Sequence, residues 1–353
     1  MPPLAAREPS AAPPALAAHD PSAELGEVVH RLGNAHWYVF QDSKLNHWFG
    51  SEGQGAYRVD GARIVRYTTR DGLPNDTVRQ IQEDAAGNLY LNTHGGISKF
   101  DGRRFETLTL VEGGTGAWRL DANDLWFTGH GKHSISRYDG TTLFALEFPK
   151  IGLEDVFYAK FPVVPYSPYA AYTLHRDRTG ALWVGTACFG ACRYDGKSFQ
   201  WITEDELTEL DDGPSFGLRG IIEDREGKFW LSNVIHRYDA HPRDAGSDGA
   251  SASDTAWYRR EPGLVSTDPN NNVGNAYFMS GLTDRNGVSW MATYGAGVWR
   301  IDGRSFTHVP VLVDGRQIHL LSIYEDRQGV LWLGTQAHGA WRFDGVAFQR
   351  FRP

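Results

Sequence analysis

Two cysteines, Cys188 and Cys192, are all this 353-residue chain contains. That excludes a disulfide framework. Methionine is scarce, at 3. No stretch approaches 18 consecutive apolar residues, so no segment reads as a transmembrane helix and no membrane partner is expected. Positive charge is in deficit: 35 Lys and Arg against 43 Asp and Glu leave a net charge of −8. Nucleic acid is therefore not an expected partner. P-loop, GxSxG, HExxH and paired CxxC motifs are absent, and the glycines of Gly113–Gly116 read as turn residues, not as a phosphate cradle. The start, MPPLAAREPSAAPPALAAHDPSAELG, lacks a basic segment followed by an apolar one. It reads as a disordered Pro/Ala-rich tail over residues 1–25 and not as a secretory signal. The location expected on those grounds is cytoplasmic.

What is abundant is glycine, at 40, and tryptophan, at 12. Many glycines with many aromatics point to short strands joined by tight turns. An aromatic anchor after Leu or a similar residue recurs seven times, at Trp48, Tyr90, Trp126, Trp183, Trp230, Trp290 and Trp332. The intervals are 42, 36, 57, 47, 60 and 42 residues. The short ones are near the roughly 40–50-residue blades of propellers, and the long ones are blades carrying insertions. Upstream of most anchors stand an Asp and a Gly, as in Asp177 and Gly180. Downstream comes Asp-Gly, as in Asp101-Gly102, a strong hairpin signal. Each unit reads as four antiparallel strands, A to D. Seven such units packed radially bury one another's faces. The expected fold is all-β, a single seven-bladed β-propeller of four-stranded antiparallel blades over residues 26–353. The anchor aromatics are expected to pack between blades. The segment Gly26–Leu32 is expected to add a strand to the last blade and close the ring.

DGLPNDTVRQIQEDAAGNLYLNTHGGISKFDGRRF, from Asp71 to Phe105, resembles the two-component regulator propeller repeat. DRTGALWVGTACFGACRYDGKSF and DRQGVLWLGTQAHGAWRFDGVAF match its pattern closely. The resemblance runs over about residues 37–351. It implies a seven-bladed propeller of the kind that senses ligands in membrane histidine kinases. No kinase or DNA-binding region accompanies it in this sequence.

Because strand directions alternate, the B–C loops and the D-to-A connections share one face, called here the top. The insertions Lys150–Ala170, Glu204–Gly217 and Pro262–Ala276 fall on that face, and Ala240–Thr255 on the other. Loops on a rigid scaffold commonly carry function, so the top is the candidate face. Its B–C loops offer Glu52, His94, His130, Lys132, His133, Tyr294 and His338. Starts of strand A add His36, Tyr277 and His319, and the aromatic insertion adds Tyr158, Tyr166, Tyr169 and Tyr172.

Two chemistries fit these residues. In the first, His36, Glu52, Lys132, His133, Tyr166, Tyr169, Tyr277 and His319 bind a small molecule, glycan or peptide, as a sensor would. In the second, His94, His338, Tyr294 and His130 catalyse a lyase, isomerase or hydrolase reaction. One divalent metal ion on His94, His130 and His338 would then stabilise an enolate, as in propeller lyases. A protein-binding platform is a further reading. Cys188 and Cys192 flank a tight turn and could form a strained disulfide, bind metal, or remain small buried thiols.

Overall fold

A computed structural model describes residues 25–61, 63–129, 135–164, 166–210, 213–214, 217–240, 257–264, 277–303 and 305–353. Within it the spacing from Asp to anchor has a local cause. In blade four, Asp177 Oδ1 accepts bonds from the backbone N–H groups of Thr179 and Ala181, both at 2.9 Å, which shapes the A–B turn. Its Oδ2 accepts from Trp183 Nε1, also at 2.9 Å. One carboxylate thus folds the turn and orients the aromatic six residues on. Asp42, Asp224, Asp284 and Asp326 hold Trp48, Trp230, Trp290 and Trp332 in the same way. In blade two Asp84 receives the hydroxyl of Tyr90 at 2.9 Å. Bonds to an ionised acceptor contribute about 1.5–3 kcal/mol each.

The oriented aromatic then packs on the next blade. Trp183 stacks on Phe229 of blade five, with ring centroids 4.1 Å apart. Trp48 meets Phe100 of blade two, Trp290 meets Phe343 of blade seven, and Trp332 meets Phe49 of blade one. The core is therefore a ring of inter-blade clusters.

The seven blades of the propeller are the expected ones. Blades one, two and four start with inner strands His36–Gln41, Val78–Glu83 and Ala171–Arg176. Blades five, six and seven start with Ile221–Glu223, Phe278–Thr283 and Leu320–Glu325. Each is followed by three antiparallel neighbours, ending in blade seven at Phe348–Arg350. Blade three has its own order. Its innermost strand is Leu125–Thr128, which carries the anchor Trp126, followed outward by Ile135–Tyr138 and Leu143–Leu146. The fourth strand, Leu110–Glu112, lies on the outer edge and runs parallel to Leu143–Leu146. Among the described residues no A-type strand stands inside Leu125–Thr128. Side-chain amides of blade two take its place: Gln82 Nε2 donates to the Trp126 carbonyl at 2.6 Å, and Asn92 Nδ2 to the Thr128 carbonyl at 3.1 Å. The position six residues before Trp126 is Leu120 where other blades have Asp, and Trp126 Nε1 is buried without a partner.

The expectation for Gly26–Leu32 is corrected. Glu27–Val29 pairs antiparallel with Arg63–Tyr67, outside blade one, as a fifth strand of that blade. All four strands of blade seven come from one continuous segment. Packing closes the ring instead. Gly339 N donates to the Asn34 carbonyl at 2.7 Å, Arg327 N to Gln41 Oε1 at 2.9 Å, and Phe49 stacks on Phe351. Among the described residues no helix is long and apolar enough to cross a membrane.

Candidate functional site

Five of the B–C loops are closed by a hydroxyl. Thr93, Thr186, Thr293 and Thr335 donate to the carbonyls of Gly96, Gly190, Gly297 and Gly339, and Ser51 to that of Gly55. Backbone bonds tie these loops to the start of strand A: Glu52 N to the Ala35 carbonyl, His94 N to that of Thr77, Gln336 N to that of His319. The loops and strand starts therefore share one face.

A register skip at that start aims one side chain inward in each of five blades. The pairing jumps from His36 to Tyr38, Val78 to Gln80, Ala171 to Thr173, Phe278 to Ser280 and Leu320 to Ser322. Such a bulge leaves one residue unpaired and redirects it. In blade five Leu218 N donates to the Thr186 carbonyl as Phe278 N does to that of Ser232, so Arg219 occupies the same position. The six residues are Trp37, Arg79, Tyr172, Arg219, Met279 and Leu321. All line one central cavity of about 610 Å³.

Four of the six form two pairs. The Arg79 guanidinium lies 3.5 Å over the Trp37 ring, and that of Arg219 lies 4.2 Å over the Tyr172 ring. Arg79 Nε donates to His94 Nε2 at 3.0 Å, which requires a neutral imidazole with its proton on Nδ1. Trp37 Nε1 donates to Glu52 Oε2 at 2.7 Å. Burial draws the pKa of Arg79 below its ordinary value, Glu52 opposes this, and the positive Arg219 adds to it. The Arg79 guanidinium remains charged at any physiological pH all the same.

Gln80 Oε1, Asn92 Oδ1 and Ser322 Oγ are buried, have no hydrogen-bond partner, and belong to residues of the cavity wall. Thr128 and Gly129 reach that wall, with no strand inside them among the described residues.

The residues singled out from sequence are distributed as follows. His94 and Glu52 stand at the mouth, each bonded to one of the bulge residues. His36 is fully buried between Phe49 and Tyr57; its Nε2 meets the Gly33 carbonyl at 3.0 Å, and burial lowers its pKa to about 4 against that bond. Tyr277 donates its hydroxyl to the Gly217 carbonyl, and burial raises its pKa. Tyr294 stacks on His319 at 4.1 Å, and both bond to Gln336 Oε1, in a cluster of blades six and seven outside the cavity lining. His338 is half-buried in its loop, with its N–H on Thr335 Oγ1 and its carbonyl on Trp341 Nε1. Tyr169 packs against Phe189 and Trp201 and donates to Glu154, so it braces the insertion. Burial raises the pKa of Tyr166 to about 12. Tyr158 is exposed on the helix Glu154–Lys160, whose Phe157 packs on Phe189 of the blade-four loop. His130, Lys132 and His133 lie outside the described residues. Among the described residues no group of three or more His, Cys, Asp or Glu is placed to hold a metal ion. Cys188 and Cys192 are free and buried. Trp37, Arg79 and Arg219 were not anticipated. Their signal is positional: Trp37 and Arg79 each follow the first buried residue of an inner strand, and Arg219 follows buried Leu218 just ahead of Ile221–Glu223.

Residues 313–337 match the family model described as two component regulator propeller. The extracellular domain of the hybrid two component system BT4673 from B. thetaiotaomicron superposes with a TM-score of 0.58 at 18% identity, over 90% of this chain and 39% of that one. Residues 313–337 carry the two-component regulator propeller repeat. The corresponding domain of BT3049 from the same organism gives a TM-score of 0.56 at 14% identity, over 91% and 41% of the two chains. The propeller thus spans about two fifths of the length of those domains. Virginiamycin B lyase from Staphylococcus aureus, solved with quinupristin, gives 0.59 at 13% identity, over 90% and 98%. At these identities the likeness to solved structures is one of fold. No curated protein matches the sequence. The cytoplasmic location expected from the N-terminal composition is overturned: the two-component propellers of similar structure are extracellular domains.

Proposed function

We propose that the propeller is a sensor-type ligand-binding domain working outside the cytoplasm, and that its ligand sits at the bulge-lined mouth of the central cavity. The observation that carries this reading is the convergence of six redirected side chains from six blades on one opening, two of them guanidiniums held flat on aromatic rings. A structural role alone does not call for two cations side by side. Preformed, concave sites with a few convergent polar groups are where small ligands bind. The ordered partners, Glu52 on Trp37 and His94 on Arg79, fix the geometry before a ligand arrives, which lowers the entropic cost of binding.

The test is a ligand screen by thermal shift on wild type beside Trp37→Ala and Arg79→Ala. A ligand at a hundred times its Kd stabilises the fold by about 2.7 kcal/mol. Such a shift is expected in wild type and not in either variant. A ligand whose shift survives both substitutions would place the site elsewhere. Metal analysis of the same samples separates the enzyme reading: about one equivalent of metal lost on His94→Ala and on His338→Ala would favour a metal-assisted reaction instead.

A further inference from the structure

One indole at the mouth holds two opposite charges. The Arg79 guanidinium lies over the face of Trp37, 3.5 Å from the ring centroid, and Glu52 Oε2 accepts a bond from the edge of the same ring, at Trp37 Nε1, 2.7 Å away. Resting on the site proposed above, we infer that its ligand is a zwitterion: a free α-amino acid with an apolar side chain, its carboxylate on Arg79, its ammonium on Glu52 and its side chain in the cavity.

Both charges have bonding capacity left. The Arg79 side chain makes its hydrogen bond through Nε, to His94 Nε2 at 3.0 Å, and among the described residues its two terminal nitrogens make none. Arg79 lines the cavity and is half-buried. Glu52 is exposed, with Oε2 on Trp37 and Oε1 open. Glu52 is near enough to favour the Arg79 charge, yet the two make no ion pair among the described residues. The indole fixes each of them before a ligand arrives. Arg219 has partners of its own and is not needed for the match.

A simple acid would satisfy Arg79 and set a second negative charge beside Glu52. A simple amine would satisfy Glu52 and set a second positive charge beside Arg79. An α-amino acid carries both charges on one carbon and meets both groups without either repulsion. Its planar carboxylate suits the terminal nitrogens of a guanidinium, which offer parallel N–H bonds. Burial already draws the Arg79 pKa down, so a carboxylate arriving there restores what desolvation takes away.

The side chain follows from the wall. Leu174 and Met279 are half-buried and Leu321 and Ile323 are each 7% exposed, all in the cavity lining. Such a wall rewards apolar groups, at about 0.8 kcal/mol for each CH₂ buried. The volume, about 610 Å³, lies within the roughly 300–1,000 Å³ of small-ligand sites.

The experiment is calorimetric titration of the full chain at pH 7 with leucine, methionine and phenylalanine. Beside each go its N-acetyl derivative, which lacks the positive charge, its amide, which lacks the negative one, and the dipeptide of leucine. At least one amino acid is expected to bind about tenfold or more tightly than both of its derivatives, as loss of a charged hydrogen bond implies. Glu52→Gln, which keeps an acceptor for Trp37, should bring that amino acid down to its N-acetyl derivative and leave the derivative unchanged. Arg79→Gln should bring it down to its amide and leave the amide unchanged. A merely structural role for either residue would weaken all ligands alike and overturn the assignment. Thermal melts of each variant confirm that it is folded. A derivative that binds as tightly as its amino acid, with binding lost on Trp37→Ala, would overturn the zwitterion and leave the mouth as the ligand site. A dipeptide that binds more tightly than every amino acid would replace the free amino acid by a peptide. Amino-acid binding unchanged in Trp37→Ala, Glu52→Gln and Arg79→Gln would overturn both the inference and the site. Failure of all three amino acids to bind would overturn the inference alone, since the ligand screen tests the site independently.

Discussion

Acid should loosen this ring, and His36 supplies the reason. The side chain is 0% exposed, its Nε2 hydrogen is committed to the Gly33 carbonyl, and its Nδ1 has no partner. A proton on Nδ1 would create a charge with no solvent and no counter-ion, and burial lowers the pKa from 6.5 to about 4. In the unfolded chain the ring titrates normally. Between these values the unfolded state takes a proton that the folded state refuses, so stability falls as pH falls. The contribution is complete above about pH 6.5 and fully lost near pH 4, where both states are protonated. At about 1.36 kcal/mol per pH unit the full span is worth about 3 kcal/mol, and about 2 kcal/mol is lost by pH 5. His36 adjoins the junction of blades one and seven, where the ring closes: its carbonyl lies so near Gly334 that a Cβ there would come within 2.6 Å. The assay is urea denaturation at pH 7.5, 6 and 5 for wild type and His36→Gln, which keeps an N–H for Gly33 and cannot titrate. The fall in unfolding free energy from pH 7.5 to 5 should be about 2 kcal/mol smaller in the variant. His47, whose pKa burial also lowers, is present in both chains and cancels. Equal falls would refute the reasoning.

Further outcomes follow from the same bonds. Asp177→Ala removes the acceptor of Thr179, Ala181 and Trp183 and strands buried Arg193, whose Nε lies 3.2 Å from the carboxylate. It should cost about 3–5 kcal/mol in chemical denaturation. Although burial acts to raise the Asp177 pKa, the bonds from Thr179, Trp183 and Ala181 and the Arg193 charge hold it below its ordinary value. That stability should therefore vanish only as pH falls below about 4, through the depressed value. Gln82→Ala should cost about 1 kcal/mol and speed hydrogen exchange at Leu125–Thr128, whose inner edge it braces. Burial raises the Cys188 thiol to about 11 against a bond from Tyr166, and it raises Cys192 as well. Neither should react with a thiol reagent at pH 7.5 until denaturant is added, when two thiols per chain should appear.

The contrast between blade three and its neighbours shows why some features were readable and others were not. Anchor, Asp and hairpin lie within six to twelve residues of one another, and their bonds are made inside one blade, so the repeat announces itself. In blade three the interval from Tyr90 to Trp126 is the shortest, at 36, and Leu120 stands where Asp belongs. Both were visible. What they mean, an absent inner strand replaced by amides of Gln82 and Asn92, depends on a neighbouring blade. The candidate site divides in the same way. His94 and Glu52 are loop residues and were anticipated. Arg79 sits in the inner strand Val78–Glu83 and Arg219 just ahead of Ile221–Glu223, where simple alternation assigns residues to the blade faces. The register skip turns Arg79 into the cavity, and Arg219 reaches it from the matching position in blade five.

From the sequence alone, then, come the all-β class, the count of seven blades and the face that carries the loops. All three rest on turn chemistry and packing patterns that act over a few residues. The tertiary structure decided which side chains meet. Glu27–Val29 joins blade one because its partner edge is available there, and the ring closes on contacts between residues some three hundred positions apart, such as Asn34 and Gly339. Trp37, Arg79, Tyr172 and Arg219 share one opening only once that ring is closed, since radial packing, and no local preference of the chain, sets the distance between them.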